Sequence, residues 1–517
     1  MLRSGAGFAR WRAPLAPCYS GEFSRLVFRM SEQILLQGKI LGIEEFLTSR
    51  PGGAAPARSS GEELLAGRSQ WITLLCEVLP RALLAEFGLP RVLLGSSGGG
   101  QFLLVLPGTS RGAAEEFLGG AARQIGEISG GHLKLLWSVT ENLGDWSVVR
   151  KRLTEELQRK RATPLAAAGA DAFQPFTAAA PLDVDAYFSK ELGLSVREAA
   201  SIGWSPEAPG KVLPGTGKHT WNLTTNLSLE SITLARHAAP SEDGRSAATV
   251  ATLARRAQGR SQWGVLRGDV DSFGVRLRRL QTIEEHVQLS VLYKQFFAGE
   301  LEVLCSLPEF WKKVTILYSG GDDFAVYGAW DALLALAREL QRLFHRFSEE
   351  NLKEFPGPEG KTISMGLALA PSAESTLAAV YEEAGRNLAL AKAAGKDCIH
   401  ALGWVLEWKQ LGAASDLKDL IIRMMGEFRS TRQFLYELRA IYHKMPGTGT
   451  VGADPQLKKV WRFHRRLNLI LGSAKDREFQ KQKTHLIGEI VGRSTTQVKL
   501  RPAGLVGLQW ASLLSEV

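Results

Sequence analysis

Apolar positions along the chain fall into blocks whose period switches between two and about three and a half residues. Residues 34–43 read as a strand and turn. From Leu64 to Phe87 a helix is predicted, with Trp71, Leu74, Leu75, Val78, Leu79 and Leu83 at three- and four-residue spacing. Arg91–Gly95, the run Ser96-Ser97-Gly98-Gly99-Gly100 and Gln101–Leu106 follow as strand, glycine turn and strand. A helix near 111–127 and a strand near 132–139 complete a β-α-β-β-α-β order, the ferredoxin-like pattern.

The order then returns. Gln262–Asp269 is a predicted strand and 282–301 a helix. Val314–Tyr318, Ser319–Asp323 and Phe324–Tyr327 form strand, tight turn and strand. The helix after Asp331 carries Leu333, Leu336, Ala337, Leu340, Leu343, Phe344 and Phe347 on one face. Thr362–Leu369 is the last long strand, followed by a helix over 375–394 and a short strand near 397–401. Two such units make an internal repeat too long for a solenoid. Between them, residues 160–260 are rich in Ala, Gly, Pro, Ser and Thr with weak periodicity, which predicts an irregular insert. Beyond 404 the pattern is helical and basic: Leu417–Tyr442, then Lys458–Leu471 with Trp461, Arg462, His464, Arg465 and Arg466, then an apolar helix at Leu505–Leu514. The expected class is α+β. A disordered or extended start (1–33) precedes a first unit (34–160), the insert (161–260), a second unit (261–403) and a C-terminal helical domain (404–517).

Composition narrows the function. The 517 residues are 45% hydrophobic and 22% charged, ordinary for a globular chain, and no apolar run approaches a membrane span. A net charge of +10 favours anionic partners such as nucleotides or nucleic acid. Cys18, Cys76, Cys305 and Cys398 are scattered, without a Cys-x-x-Cys pair, so neither a zinc site nor disulfides are expected and a reducing cytoplasm fits best. The first 21 residues hold three arginines and no acid, resembling a transit peptide in composition but without a secretory apolar core; a disordered start, or Met30 as the effective beginning, is expected.

The candidate chemistry sits at Ser319-Gly320-Gly321-Asp322-Asp323. Glycines at a hairpin tip admit positive φ and let a phosphate approach the backbone. Adjacent carboxylates repel unless a cation lies between them. Asp269 ends a strand that this topology places beside the turn, so three carboxylates converge on hard-oxygen ligation of Mg²⁺ or Mn²⁺ and substrate phosphates. Asp271, two residues on, receives a lesser role. A solvated hairpin turn is the plain alternative, weakened by the flanking apolar strands and the earlier Asp-x-Asp.

Three fragments carry a resemblance: Arg267-Gly268-Asp269-Val270-Asp271-Ser272-Phe273-Gly274, Leu317 to Phe324 and Ile363 to Ala368. They look like the second palm of the large subunit of type III CRISPR effector complexes. Gly38–Phe46, Leu65–Ser69 and Ser97–Pro107 look like its first palm, and the tail with Leu417–Leu420 is similar to its C-terminal domain. The resemblance implies conversion of ATP into cyclic oligoadenylates when a complex of backbone and small subunits, guide RNA and target RNA assembles. It makes Asp269, Asp322 and Asp323 metal-holding catalytic residues, with the Val270 carbonyl as a further ligand. It sets Ser319, Gly320, Gly321 and Lys396 against one nucleotide, and Ser97, Gly98 and Gly99 against another. The basic C-terminal helices are read as a surface for guide RNA or a small subunit. Three departures matter. The first palm has Lys39 and Gly98-Gly99-Gly100-Gln101 where acids are needed, so it should hold no metal. No His-Asp dipeptide occurs, so no DNase is expected. The family's zinc cysteines between the palms are missing, so the insert must be held by packing alone or be mobile. Two rivals remain: a nucleotide-binding scaffold without turnover, and a diguanylate cyclase, whose motif has Glu where Asp323 stands.

Overall fold

The computed structural model describes residues 33–49, 61–162 and 184–427 except 194, 226, 227, 229 and 245. Beyond 427 it describes 435, 436, 438, 442–444, 451–453, 465, 468, 469, 476–492 and 499–516. The expected extended start and most of the basic Lys458–Leu471 stretch lie outside the described residues.

The first unit runs β1 (Gln33–Leu41), helices Ile43–Thr48 and Gly61–Glu86, β2 (Leu94–Gly98), β3 (Gln101–Pro107), helix Arg111–Ile128 and β4 (Lys134–Glu141). Its sheet order is β2-β3-β1-β4, the ferredoxin-like arrangement. A helix at Trp146–Ala162 follows.

The span read as irregular contains a second small sheet. β5 (Ser201–Trp204), β6 (Leu213–Pro214), β7 (His219–Thr224) and β8 (Ser231–Thr233) order as β6-β5-β7-β8. These strands are two to six residues long, too short to show a period. The Trp71 indole donates to Gly210 O at 3.0 Å, and Gln124 Oε1 accepts from Gly210 N at 2.6 Å, so buried polar contacts tie this piece to the first unit.

The second unit carries β9 (Trp263–Val270), β10 (Val314–Ser319), β11 (Asp323–Ala329), β12 (Ile363–Leu369), β13 (Cys398–Ala401) and β14 (Trp404–Glu407), in the order β10-β11-β9-β12-β13-β14. The helix expected over 282–301 is α-helical at Ile283–Lys294, π-helical at Gln295–Glu300 and α-helical again at Leu301–Cys305. At the C-terminal end, helices Trp408–Glu427 and Pro502–Ser515 pack together. The single helix expected from Leu417 to Tyr442 is corrected. It starts nine residues earlier, because Trp408 Nε1 anchors its first turn to Ile363 O at 3.2 Å, and Tyr442 opens a short strand, Tyr442–Lys444, paired with Val451–Ala453. Among the described residues no helix is long and apolar enough to cross a membrane.

The repeat is visible at atomic register. On β1, Gly38 opposes Phe102; on β9, Gly268 opposes Phe324. A Cβ on Gly38 would lie 2.1 Å from the Phe102 ring, and one on Gly268 2.2 Å from the Phe324 ring. Each glycine is the slot for the opposing phenylalanine. The next pair along is therefore equivalent: Lys39 opposite Gln101 in the first unit, Asp269 opposite Asp323 in the second.

The units exchange helices. Gly61–Glu86 lies against β10 and Ile283–Lys294 against β2. Leu317, Ala325 and Tyr327 thus join the first unit's core around Trp71, while Leu35 and Leu103 join the second unit's core. Burial of both sheet faces fixes the two turns relative to each other, since apolar area removed from water stabilises by roughly 25 cal/mol per Å². Gly268→Ala is expected to cost about 1–3 kcal/mol by forcing the Phe324 ring aside. This reads as a lower thermal midpoint, against an unchanged midpoint for Gly274→Ala, which meets only the flexible end of Arg278.

Candidate active site between two glycine turns

Asp269 is the penultimate residue of β9 and Asp323 opens β11, and register sets them side by side. The amide of Val270 donates to Asp322 O at 2.9 Å, locking the end of β9 to the turn. Gly320 N donates to Asp323 O at 2.7 Å and closes that turn. A Cβ on Gly320 would meet Asp323 Oδ1 at 2.1 Å, so any side chain there would displace the carboxylate from over the backbone.

Electrostatics of the three acids are unfavourable as they stand. Burial pushes the Asp323 carboxyl up to about 6, with the charge of Asp269 adding to it and the Tyr318 hydroxyl, 3.1 Å from Oδ2, opposing. Burial, then Asp323 and Asp269, hold Asp322 well above the ordinary carboxylate range. Asp269 is raised by burial despite Lys392, whose ammonium lies 2.5 Å from Oδ1. Asp271, by contrast, is 3% exposed and saturated: it accepts from Thr362 Oγ1, Ser364 Oγ and Asp397 N at 2.8, 2.7 and 2.9 Å. Of the Asp-x-Asp pair, only Asp269 faces the cleft.

Across from these acids stands the first unit's turn. A Cβ on Gly99 would lie 3.4 Å from Gly321 N and 3.6 Å from Asp322 Oδ1, so the two glycine turns nearly touch. The cleft beside them has a cavity volume of about 180 Å³ and opens to solvent. Ile43, Leu47 and Ile72 line one wall, and Tyr318 and Tyr381 the other. Arg267 stacks 4.1 Å over the Tyr381 ring and donates to Glu44 Oε1 at 2.6 Å, bridging the units at the rim.

Asp269, Asp322, Asp323, Gly320 and Gly99 share this cleft. Other expected residues sit apart from its lining. The Ser319 hydroxyl donates to Phe297 O, turning away from the cleft. Ser97 Oγ donates to the buried Glu77 carboxylate at 2.9 Å, below Gly98. Lys396, in the left-handed region at φ 69°, donates to Ser272 Oγ at 2.7 Å. The basic residue on the carboxylates is Lys392, one helical turn earlier; its spacing of four from Lys396 was the available signal. Glu44, Arg267 and Tyr318 lie in the fragments that carry the resemblance but are not singled out there, because the Arg267–Glu44 bridge forms only where the two units face each other.

The donor set fits a hard divalent cation only in part. Among the described residues no three His, Cys, Asp or Glu side chains are gathered into a metal cluster. Mg²⁺ sites commonly use one or two carboxylates completed by water and substrate phosphates, and two such carboxyls stand here: Asp322, raised by burial and by Asp323 and Asp269, and Asp323, raised by burial and by Asp269.

Comparison with known proteins agrees with this geometry. Residues 262–400 match the family model of the second palm domain of Cas10/Cmr2. A Cas10/Csm1 of subtype III-A from Mycobacterium tuberculosis, described as a CRISPR system single-strand-specific deoxyribonuclease, is 29% identical over 136 residues, 23% of this chain and 16% of the relative. Its counterpart from Enterococcus italicus is 28% identical over 202 residues, 37% of this chain and 24% of the relative. The matched stretches thus span no more than about a quarter of these relatives' length. Among solved structures, an apo Csm1–Csm4 cassette has a TM-score of 0.69 at 17% identity, covering 94% of this chain and 70% of that one. The cassette in complex with cA4 gives 0.66 at 16% identity, covering 94% and 71%. The α+β fold is thus shared with these structures over 94% of the chain. Residues 262–400 are therefore a second palm domain of the Cas10/Cmr2 family, and the chain carrying them is a relative of the large subunits of type III CRISPR systems.

Proposed function

We propose that the chain is the large subunit of a type III RNA-guided complex and that the cleft between its palms joins ATP into cyclic oligoadenylates by 3′–5′ nucleotidyl transfer. The observation that carries this reading is the pairing of Asp269 with Asp323, beside Asp322, directly opposite a glycine turn that bears no acidic residue. Support also comes from the related cassettes solved with AMPPNP, pppApA and cA3. Their Csm4 partner suggests a backbone subunit as neighbour here, with small subunits, guide RNA and target RNA completing the assembly.

In this mechanism a 3′-oxygen attacks the α-phosphorus of a second ATP, the bond to the β-phosphate breaks, and pyrophosphate leaves. Asp322 and Asp323, with Asp269, would hold Mg²⁺ or Mn²⁺, which when bound supplies Lewis-acid polarisation of the phosphate and a more acidic hydroxyl. Gly320 and Gly321 leave the backbone open to the triphosphate. Lys392 adds positive charge on the carboxylate side. Ile43, Leu47, Ile72 and Tyr381 exclude water around the bases. The first palm, with Lys39 and Gln101 in the acid positions, positions the acceptor nucleotide and bears no metal. No nuclease step is proposed, as no His-Asp dipeptide occurs in these residues.

Asp322→Ala with Asp323→Ala is expected to lower oligoadenylate synthesis by at least about a hundredfold while leaving complex assembly intact, as read by mass spectrometry and gel filtration. Gln101→Ala should cost far less. Losses of equal size would give the first palm a chemical role that this mechanism denies it.

A second expectation concerns pH. A carboxyl raised in the folded state binds more protons there than in the unfolded chain, where its value is near 4. Stability therefore falls as pH rises from about 4 through about 6, and the loss persists above. Without divalent ions, Asp323→Asn should raise the melting midpoint at about pH 7.5, the gain shrinking toward about pH 4.5. Added Mg²⁺ should raise the midpoint of the wild type and not of the variant.

A further inference from the structure

One short helical segment touches both glycine turns. Lys294 ends the α-helical stretch Ile283–Lys294, and its ammonium lies 2.6 Å from both oxygens of Glu77 and 3.1 Å from Ser97 Oγ. Ser97 sits at the base of the first turn and itself donates to Glu77. Three residues on, the Phe297 carbonyl accepts from Ser319 at the base of the second turn. Between them the helix widens into a π-helical turn at Gln295–Glu300, a form that recurs at functional sites. One helix face earlier, His286 Nε2 lies 3.4 Å from Ser96 Oγ. The second palm's helix thus grips the first palm's turn at two successive serines and its own turn at a third.

The charges around Glu77 are unusual for a plain packing contact. Glu77 is 2% exposed and Arg81 6%, and Arg81 Nη1 also donates to Glu77 Oε2 at 2.7 Å. One carboxylate therefore faces two cations, although Arg81 alone would neutralise it. A well-packed apolar residue serves stability as well as a buried ammonium does, so Lys294 is better explained by direction than by strength. It aims a charged hydrogen bond at the hydroxyl of Ser97, the residue that leads into Gly98 and Gly99.

We propose that residues 294–297 form a strut that sets the spacing of the two glycine turns, with Lys294 a positioning residue for the joining reaction. Lys294 touches no reacting atom in this arrangement. It acts through Ser97 on the first turn, while the Phe297 carbonyl holds the second, so a shift of this helix moves both sides of the cleft together. The reaction it serves is the one proposed above, and the strut rests on that reading for its consequence but not for its existence.

The test uses the full chain in its complex. In Lys294→Met, Glu77 keeps Arg81, so folding survives. Hydrogen–deuterium exchange should speed several-fold in peptides covering Ser96–Gly100 and Ser319–Asp323, with peptides of the Trp330–Asn351 helix unchanged. The ATP concentration for half-maximal synthesis should rise on the order of ten- to a hundredfold, and Lys294→Arg should restore much of it. Unchanged exchange at the two turns, or equal acceleration throughout both palms, overturns the strut. The exchange measurement needs no turnover: a wild-type complex that makes no oligoadenylate defeats the proposed function and leaves the strut to be decided by exchange alone.

Discussion

Everything at the cleft depends on one electrostatic constraint: three carboxylates must share the adjoining ends of two hydrogen-bonded strands. Register makes Asp269 and Asp323 neighbours, and the turn adds Asp322. Burial then raises all three, and among the described residues Lys392 forms an ion pair with Asp269. A fold tolerates such crowding when further positive charge is supplied from outside, and in the proposed function a metal-bound nucleotide would supply it.

The second constraint is mechanical. A glycine turn of this kind needs a partner surface to make a pocket, and each palm supplies one to the other through exchanged helices. The Gly61–Glu86 helix covers β10, the Ile283–Lys294 helix covers β2, and the cores interpenetrate. The cleft is therefore part of the fold, not a gap between loosely docked domains. Its asymmetry is also built at register level. Gly38 with Phe102 and Gly268 with Phe324 show that the two palms share one design, and the next residue pair shows where they diverge, Lys39 with Gln101 against Asp269 with Asp323.

Much of this was legible in the sequence because the informative signals were local. Alternating apolar positions located the strands of both palms, and the Gly-Gly-Asp-Asp turn with the earlier Asp269 marked the place where three carboxylates meet. What escaped was non-local. The strands of 201–233 are too short for periodicity, and their order is set by contacts such as Trp71 with Gly210. Lys392 was passed over for Lys396 because helix rotation, not sequence position, decides which lysine meets Asp269. Asp271 looked like a lesser ligand and is a buried hub for Thr362, Ser364 and Asp397. Glu77 and Lys294, 217 residues apart, meet only because the palms exchange helices.

The proposed activity is thus a property of the paired arrangement, with one turn carrying charge and the other carrying space. Its most direct test is the assembled complex with target RNA and Mg²⁺, given ATP and GTP in separate reactions, with products identified by mass spectrometry. The account predicts cyclic 3′–5′ oligoadenylates from ATP and no cyclic product from GTP. Cyclic diguanylate from GTP, or no product from either nucleotide, would contradict it.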